Sequence, residues 1–224
     1  MTRTLLTLGA FALICALAFV VLKPQNPQSP MGTPANLPWQ IDTHADQTSS
    51  VFGLTLEHTT VADALQTLGE DHELGIISDS NDNSGLEIYY SHFKTGPLQA
   101  KLIIAVQADQ TQLIQMQENA SSASFTSSGS RKFLLNENDL QNIRHWPIAS
   151  LNLIPAASLD EDIILARFGQ PSERIRVDEN SEHFLYPDRG LEVVLNQEGK
   201  ELLQYVAPRS FEKLSAPLQR YRTK

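Results

Sequence analysis

The chain is 224 residues long, 41% of them hydrophobic, with a formal net charge of −9 and one cysteine. That much apolar material excludes global disorder, and a lone cysteine excludes a disulfide-stapled scaffold. The acidic balance argues against a nucleic-acid binder working through a general basic surface, and the length allows one or two domains.

Leu5 to Leu22 is an apolar run whose only clearly polar member is Thr7. At a rise of about 1.5 Å per residue it would span about 27 Å as a helix, close to the thickness of a bilayer core. Residues 1–23 are therefore expected to form a transmembrane signal anchor. The run ends Phe19-Val-Val-Leu22-Lys23-Pro24 rather than in small residues, which favours an uncleaved segment over a secretory leader. Lipidation of Cys15 is the competing reading, but Ile14 stands directly before it and apolar or small residues continue behind it. Arg3 and the α-amino group favour an N-terminus left inside, giving a single-pass inner-membrane protein with its C-terminal domain in the periplasm. The net charge divides into +2 over residues 1–23, −15 over 24–206 and +4 over 207–224.

Pro24, Pro27, Pro30, Pro34 and Pro38 make residues 24–38 an extended linker. Beyond it lies a weak internal repeat. Ala64-Leu-Gln-Thr-Leu-Gly69 recurs as Ile164-Leu-Ala-Arg-Phe-Gly169, each read as a short helix ended by glycine. Thr60 with Asp63 and Ser158 with Glu161 are the expected caps. A strand ending in tyrosine follows each helix, Leu86–Tyr90 and then His183–Tyr186, and each is followed by an apolar strand, near 101–106 and 191–195. In the second copy Pro187-Asp-Arg-Gly190 and Asn196-Gln-Glu-Gly199 read as turns leading to a last strand over 201–206. The first copy is lengthened by a helix over 109–119, a serine-rich stretch over 120–130, a strand near 131–135 and a helix over 137–144. A strand from Ile148 to Ile154 opens the second copy. The expected fold class is α+β: two tandem helix-plus-antiparallel-sheet units, 39–147 with an insertion and 148–206, then a basic tail over 207–224.

The segment from Ile154-Pro155 to Val206 resembles the SmpA/BamE-like fold, the envelope module used twice over in the β-lactamase-inhibitor protein. The resemblance rests on Leu159-Asp-Glu-Asp-Ile163, the Phe168-Gly169-Gln170-Pro171 exit, Tyr186, Leu191-Glu-Val-Val-Leu195 and Gly199-Lys200. It implies protein binding or support of envelope assembly rather than catalysis. The chain departs from the BamE pattern in its lack of a fitting lipid-attachment cysteine and in its insertion-bearing first unit. As a whole it is similar to membrane-anchored proteins of Gram-negative bacteria, which implies a location and no mechanism.

Several clusters carry possible chemistry. Asp42, His44 and Asp46 alternate and would share one side of an extended segment, but no second ligand group accompanies them, so no metal site is expected. Glu70-Asp71-His72-Glu73 and Asp79-Ser-Asn-Asp82 match no calcium-loop spacing and read as solvated loops. His58, His72 and His92 are scattered in polar surroundings. No serine elbow, phosphate loop, dinucleotide fingerprint or Cys/His cluster is present, and no cofactor is expected. The leading expectation is a non-enzymatic module binding another envelope protein, with Tyr89, Tyr90, Phe184 and Tyr186 as candidate contacts or, equally, core residues. The alternative is a small-ligand-binding protein or hydrolase built on Glu182, His183 and Asp188, a carboxylate orienting an imidazole across a hairpin. In the tail, Phe211, Leu214 and Leu218 suit either a docking segment or a last helix packed on the domain; Pro208 and Pro217 favour the second.

Overall fold

A computed structural model describes residues 36–222 apart from 82, 127 and 128. The expected anchor, Cys15, the linker up to residue 35, Asp82 and part of the serine-rich stretch lie outside the described residues. No helix among the described residues is long and apolar enough to cross a membrane.

The fold is α+β. Three short strands, β1 (Asp42–Thr43), β2 (Ser49–Val51) and β3 (Leu54–Thr55), form a small sheet, followed by helix α1 (Val61–Leu68). Then come β4 (Glu73–Ser78), β5 (Ser84–Thr95), β6 (Leu98–Val106), α2 (Gln110–Glu118), β7 (Ser122–Phe125), β8 (Arg131–Leu134), α3 (Glu137–Asn142) and β9 (Ile148–Pro155). The chain continues through α4 (Glu161–Phe168), β10 (Glu173–Arg176), β11 (Ser181–Tyr186), β12 (Leu191–Asn196), β13 (Leu202–Val206) and the short α5 (Glu212–Ser215). Strands β4 to β13 join in one antiparallel sheet of order β10-β11-β12-β13-β9-β6-β5-β4-β8-β7.

Alternation along the strands gives this sheet two unlike faces. One carries Leu86, Ile88, Tyr90, Leu102, Ile104, Leu151, Leu153, Phe184, Tyr186, Val193, Leu203 and Tyr205, all buried in the main core. Helices α1 and α4 lay Val61, Ala64, Ile164 and Phe168 into the same core. The turn joining β2 to β3 holds Phe52 at a left-handed φ of 57°, where its ring is locked edge-on to Phe93 and Tyr205 at 5.2 and 5.8 Å. The opposite face is lined by a row of cross-strand neighbours: Glu73, Tyr89, Ile103, Asn152, Gln204, Glu192 and Leu185. Its β10 end is covered by the tail. There Phe211 and Leu218 of the tail are buried with Ile175, Leu185 and Val206, and Leu214 packs beside them.

The two repeat helices end alike. Gly69 N–H donates to Leu65 O and Gly169 N–H to Leu165 O, both at 2.9 Å, with φ of 93° and 77°. A sheet tyrosine then closes each end: Tyr90 Oη donates to Gly69 O and Tyr186 Oη to Gly169 O, both at 3.0 Å. Their starts differ from expectation at one point. Thr60 caps α1, but α4 is capped by Asp160, whose Oδ1 accepts Ile163 N–H at 2.7 Å, in place of Ser158. The helix begins at Glu161, which makes the aspartate the residue with the reach to the third free N–H.

The small sheet β1–β3 and four stretches of strand in the large sheet are unanticipated. Glu73–Ser78, of which Glu73 alone belongs to an expected solvated acidic loop, pairs with β5 and β8. Ser122–Phe125 forms β7 within the serine-rich stretch, Glu173–Arg176 forms β10, and β5 runs past Tyr90 to Thr95 through an irregularity in its pairing with β6.

Candidate functional site

A concavity opens at the β7–β8 end of the sheet. Gly75 of β4 allows the close approach: a Cβ there would come within 2.8 Å of Phe133 O on β8. The hairpin thereby folds over the helix-free face, and a trough of about 490 Å³ opens between it and the strands β4, β5 and β6. Ile77, Tyr89 and Ile103 form its apolar floor, Ser124 to Thr126 one wall, and Glu73, Glu87 and Lys132 its charges. Lys132 Nζ pairs with Glu73 Oε2. Glu87 is different: among the described residues no hydrogen bond or ion pair reaches its carboxylate, and desolvation by burial raises its pKa above the ordinary value. A half-buried carboxylate without a partner, beside an aromatic ring, is a site that favours a cationic group.

A second concavity of about 210 Å³ lies on the helix side, between α4 and the chain entering the fold. Trp39, Leu98, Leu153, Leu159, Ile163 and Phe168 line it. Trp39 meets Phe168 edge-on at 6.5 Å, and the Arg167 guanidinium lies 4.5 Å over the indole. Its lining is mostly apolar, with Thr95, Gln99, Ser158 and Arg167 as the polar members.

Of the four expected contact residues, Tyr90, Phe184 and Tyr186 are buried in the core, and Tyr89 lines the trough. Glu182, His183 and Asp188 do not converge. Glu182 and His183 are consecutive in β11, so their side chains leave opposite faces of the sheet. Glu182 is held by Arg174 and Arg176, each at 3.0 Å. His183 Nδ1 lies 2.5 Å from Oε1 of Glu192, a buried carboxylate that the sequence reading passed over. Asp188 is exposed in the turn after the strand.

The other clusters are likewise engaged locally. His44 Nε2 lies 2.7 Å from Ser50 Oγ. Asp46 accepts from Thr48 and lies 2.8 Å from His58 Nε2; the hydrogen bond from His58, then that from Thr48, holds its carboxyl well below the usual carboxylate range. No group of three or more His, Cys, Asp or Glu side chains among the described residues is placed to hold a metal ion. Asp79 closes its own turn by accepting from the Asn81 and Asn83 N–H groups at 2.8 and 3.0 Å. In the tail, Arg209 is spent on Glu57 at 2.7 Å and Arg222 on Glu173 at 2.6 and 2.8 Å. No protein family, curated protein or solved structure matches the chain.

Proposed function

We propose that this is a non-enzymatic protein-binding module, held at the inner membrane by residues 5–22 and displayed in the periplasm on its proline-rich linker. Its framework is a pair of SmpA/BamE-like units. With β9 assigned by its place in the sheet to the first unit, instead of opening the second as the sequence suggests, the first comprises α1, β4, β5, β6 and β9 and the second α4 and β10 to β13; they abut through β9 and β13. The matched tyrosine-to-glycine closures of α1 and α4 support that pairing.

The observation that carries the binding function is the placement of exposed apolar side chains. Between β6 and β9 the first unit carries an insertion, α2-β7-β8-α3, with no counterpart between β12 and β13. Ile114, Phe125, Leu134 and Leu140, four of the five large hydrophobic residues exposed among the described residues, lie in it. Isolated exposed apolar residues need no explanation, but their concentration in one inserted segment marks an interaction surface. The test is photo-crosslinking in intact membranes with a photoreactive residue at Ile114, Leu134 or Leu140, and at exposed Gln219 as a control. A discrete adduct at the insertion positions and none at the control is expected; equal, diffuse labelling at all four sites would reject the reading.

A further inference from the structure

The two ends of the ten-stranded sheet are finished differently. At one end β10 reads Glu-Arg-Ile-Arg. Its arginines are paired to Glu161 and Glu182, and its Glu173 to Arg222 of the tail, so this edge is charged and flanked by the last turn of chain. Charge and cover of this kind keep an edge from pairing with another chain. At the other end β7 reads Ser-Ala-Ser-Phe, with every residue exposed and no charge or proline. Thr126 N–H donates to Ser130 O at 2.8 Å, which places 126 opposite 130 in a hydrogen-bonded pair. By the alternation of an antiparallel ladder, Ser124 and Ser122 also bond toward β8. The N–H and C=O groups of Ala123 and Phe125 then point outward, free to pair. Phe125 is 75% exposed beside them.

This bare edge borders the trough that contains the unpaired Glu87 carboxylate. The juxtaposition joins the two components of strand-addition recognition: main-chain groups for affinity and a pocket that selects a side chain. We propose that the trough binds an extended peptide segment of a partner protein, paired antiparallel to β7, with a lysine or arginine side chain reaching Glu87 over the ring of Tyr89. This rests on the binding-module reading and names the partner's chemistry. The selection is electrostatic. Glu73 is already neutralised by Lys132, so Glu87 supplies the one uncompensated charge of the trough, and a basic side chain compensates it where a neutral or acidic one would leave it desolvated.

The experiment is selection of random heptapeptides, displayed as a library, on the detergent-solubilised full chain. Enriched peptides are expected to alternate apolar and polar residues around a lysine or arginine at a constant position. A synthetic representative should bind about tenfold or more weakly to Glu87→Gln and to lose binding when its own lysine is replaced by glutamate. Ala123→Pro removes an outward N–H and no bond to β8, so it should fold and yet fail to bind. Should that variant unfold, the peptide N-methylated at alternate residues breaks the same pairing without altering the protein. Enriched peptides without a basic residue, undiminished binding of the N-methylated peptide, or no enrichment would each overturn the proposal. So would a dimer dissolved by Ala123→Pro, since the occupant would then be a second copy of the chain. Failure here with the insertion crosslinks intact sinks this inference alone; loss of both sinks the binding-module reading as well.

Discussion

Tyr90→Phe and Tyr186→Phe test whether the two helix closures are equivalent parts of one repeated framework. Each substitution deletes a hydroxyl that donates at 3.0 Å to the carbonyl of a helix-terminal glycine, and leaves the ring in place. The ring contacts, Tyr90 with His72 at 5.6 Å and Tyr186 with Phe168 at 6.2 Å, are therefore kept. A buried hydrogen bond of this kind contributes about 1 kcal/mol net, so each variant should lose about that amount. For a body of this size the loss corresponds to a fall of about 2 to 4 °C in Tm. The sites lie in separate halves and share no partner, so the double variant should lose about 2 kcal/mol, the sum. Urea unfolding of the solubilised chain, followed by tryptophan fluorescence, reads the changes. A neutral effect at one site with a large one at the other would refute the equivalence.

The same tyrosines have a pH signature. Burial pushes Tyr90 up to about 12 from an ordinary value of 10.0, and burial also raises Tyr186 against the opposing charges of Arg189 and Arg174. A group whose pKa is raised by folding contributes stability that is fully present below its unfolded pKa and is lost as pH climbs through the folded one. Stability should therefore fall from pH 10 toward pH 12. The double variant should fall less, keeping the part due to the fully buried Tyr205.

Three further substitutions separate structural roles. Gly190 has a left-handed φ of 65°, and a Cβ there would stand 1.9 Å from Val206 O, so Gly190→Ala should cost about 3 kcal/mol or more in chemical denaturation. Asp160→Ala should cost about 1 kcal/mol through the lost cap of α4, whereas Ser158→Ala should stay within about 0.5 kcal/mol; the reverse order would place the cap at Ser158. His183→Ala strands the buried Glu192 carboxylate and should cost about 3 kcal/mol, most of it recovered by adding Glu192→Gln, and an unchanged urea midpoint would show the pair to be idle.

The legible parts of the fold are those in which a short segment carries its own instructions. Glycine-ended helices at Gly69 and Gly169, tyrosine-bearing strands, and the turns at 187–190 and 196–199 all announce themselves by local chemistry. Strand β7 does not, because all four of its residues are exposed and no apolar alternation is written into Ser-Ala-Ser-Phe. Strand β4 was hidden by context: Leu74, Ile76 and Ile77 are good strand formers, but the acidic residues on either side dominate the pattern. At the site, Tyr89 was legible as an aromatic in a strand, while Glu87 was not, since its isolation follows from the long-range pairing of β8 with β4. Neighbours in a strand face opposite ways, and the partner of His183 is Glu192, one step diagonal across the β11–β12 register on the same face.

The distribution of these features separates what stabilises the protein from what distinguishes it. The shared elements of the two halves are spent on the core: the capped helices, the paired tyrosines and the apolar face of the sheet. In the second half the tail covers the open face near β10, and its Arg222 occupies the carboxylate of Glu173 on that edge. The first half leaves the equivalent outer strand, β4, to be extended by the inserted hairpin, which ends the sheet in an unprotected edge. An uncharged edge, exposed apolar residues and an unpaired carboxylate each lower solubility or stability, and folding requires none of them. The bare edge and the exposed apolar residues coincide in the one segment that the second half lacks, beside the unpaired Glu87 of β5, which is what a binding role accounts for, and stability does not.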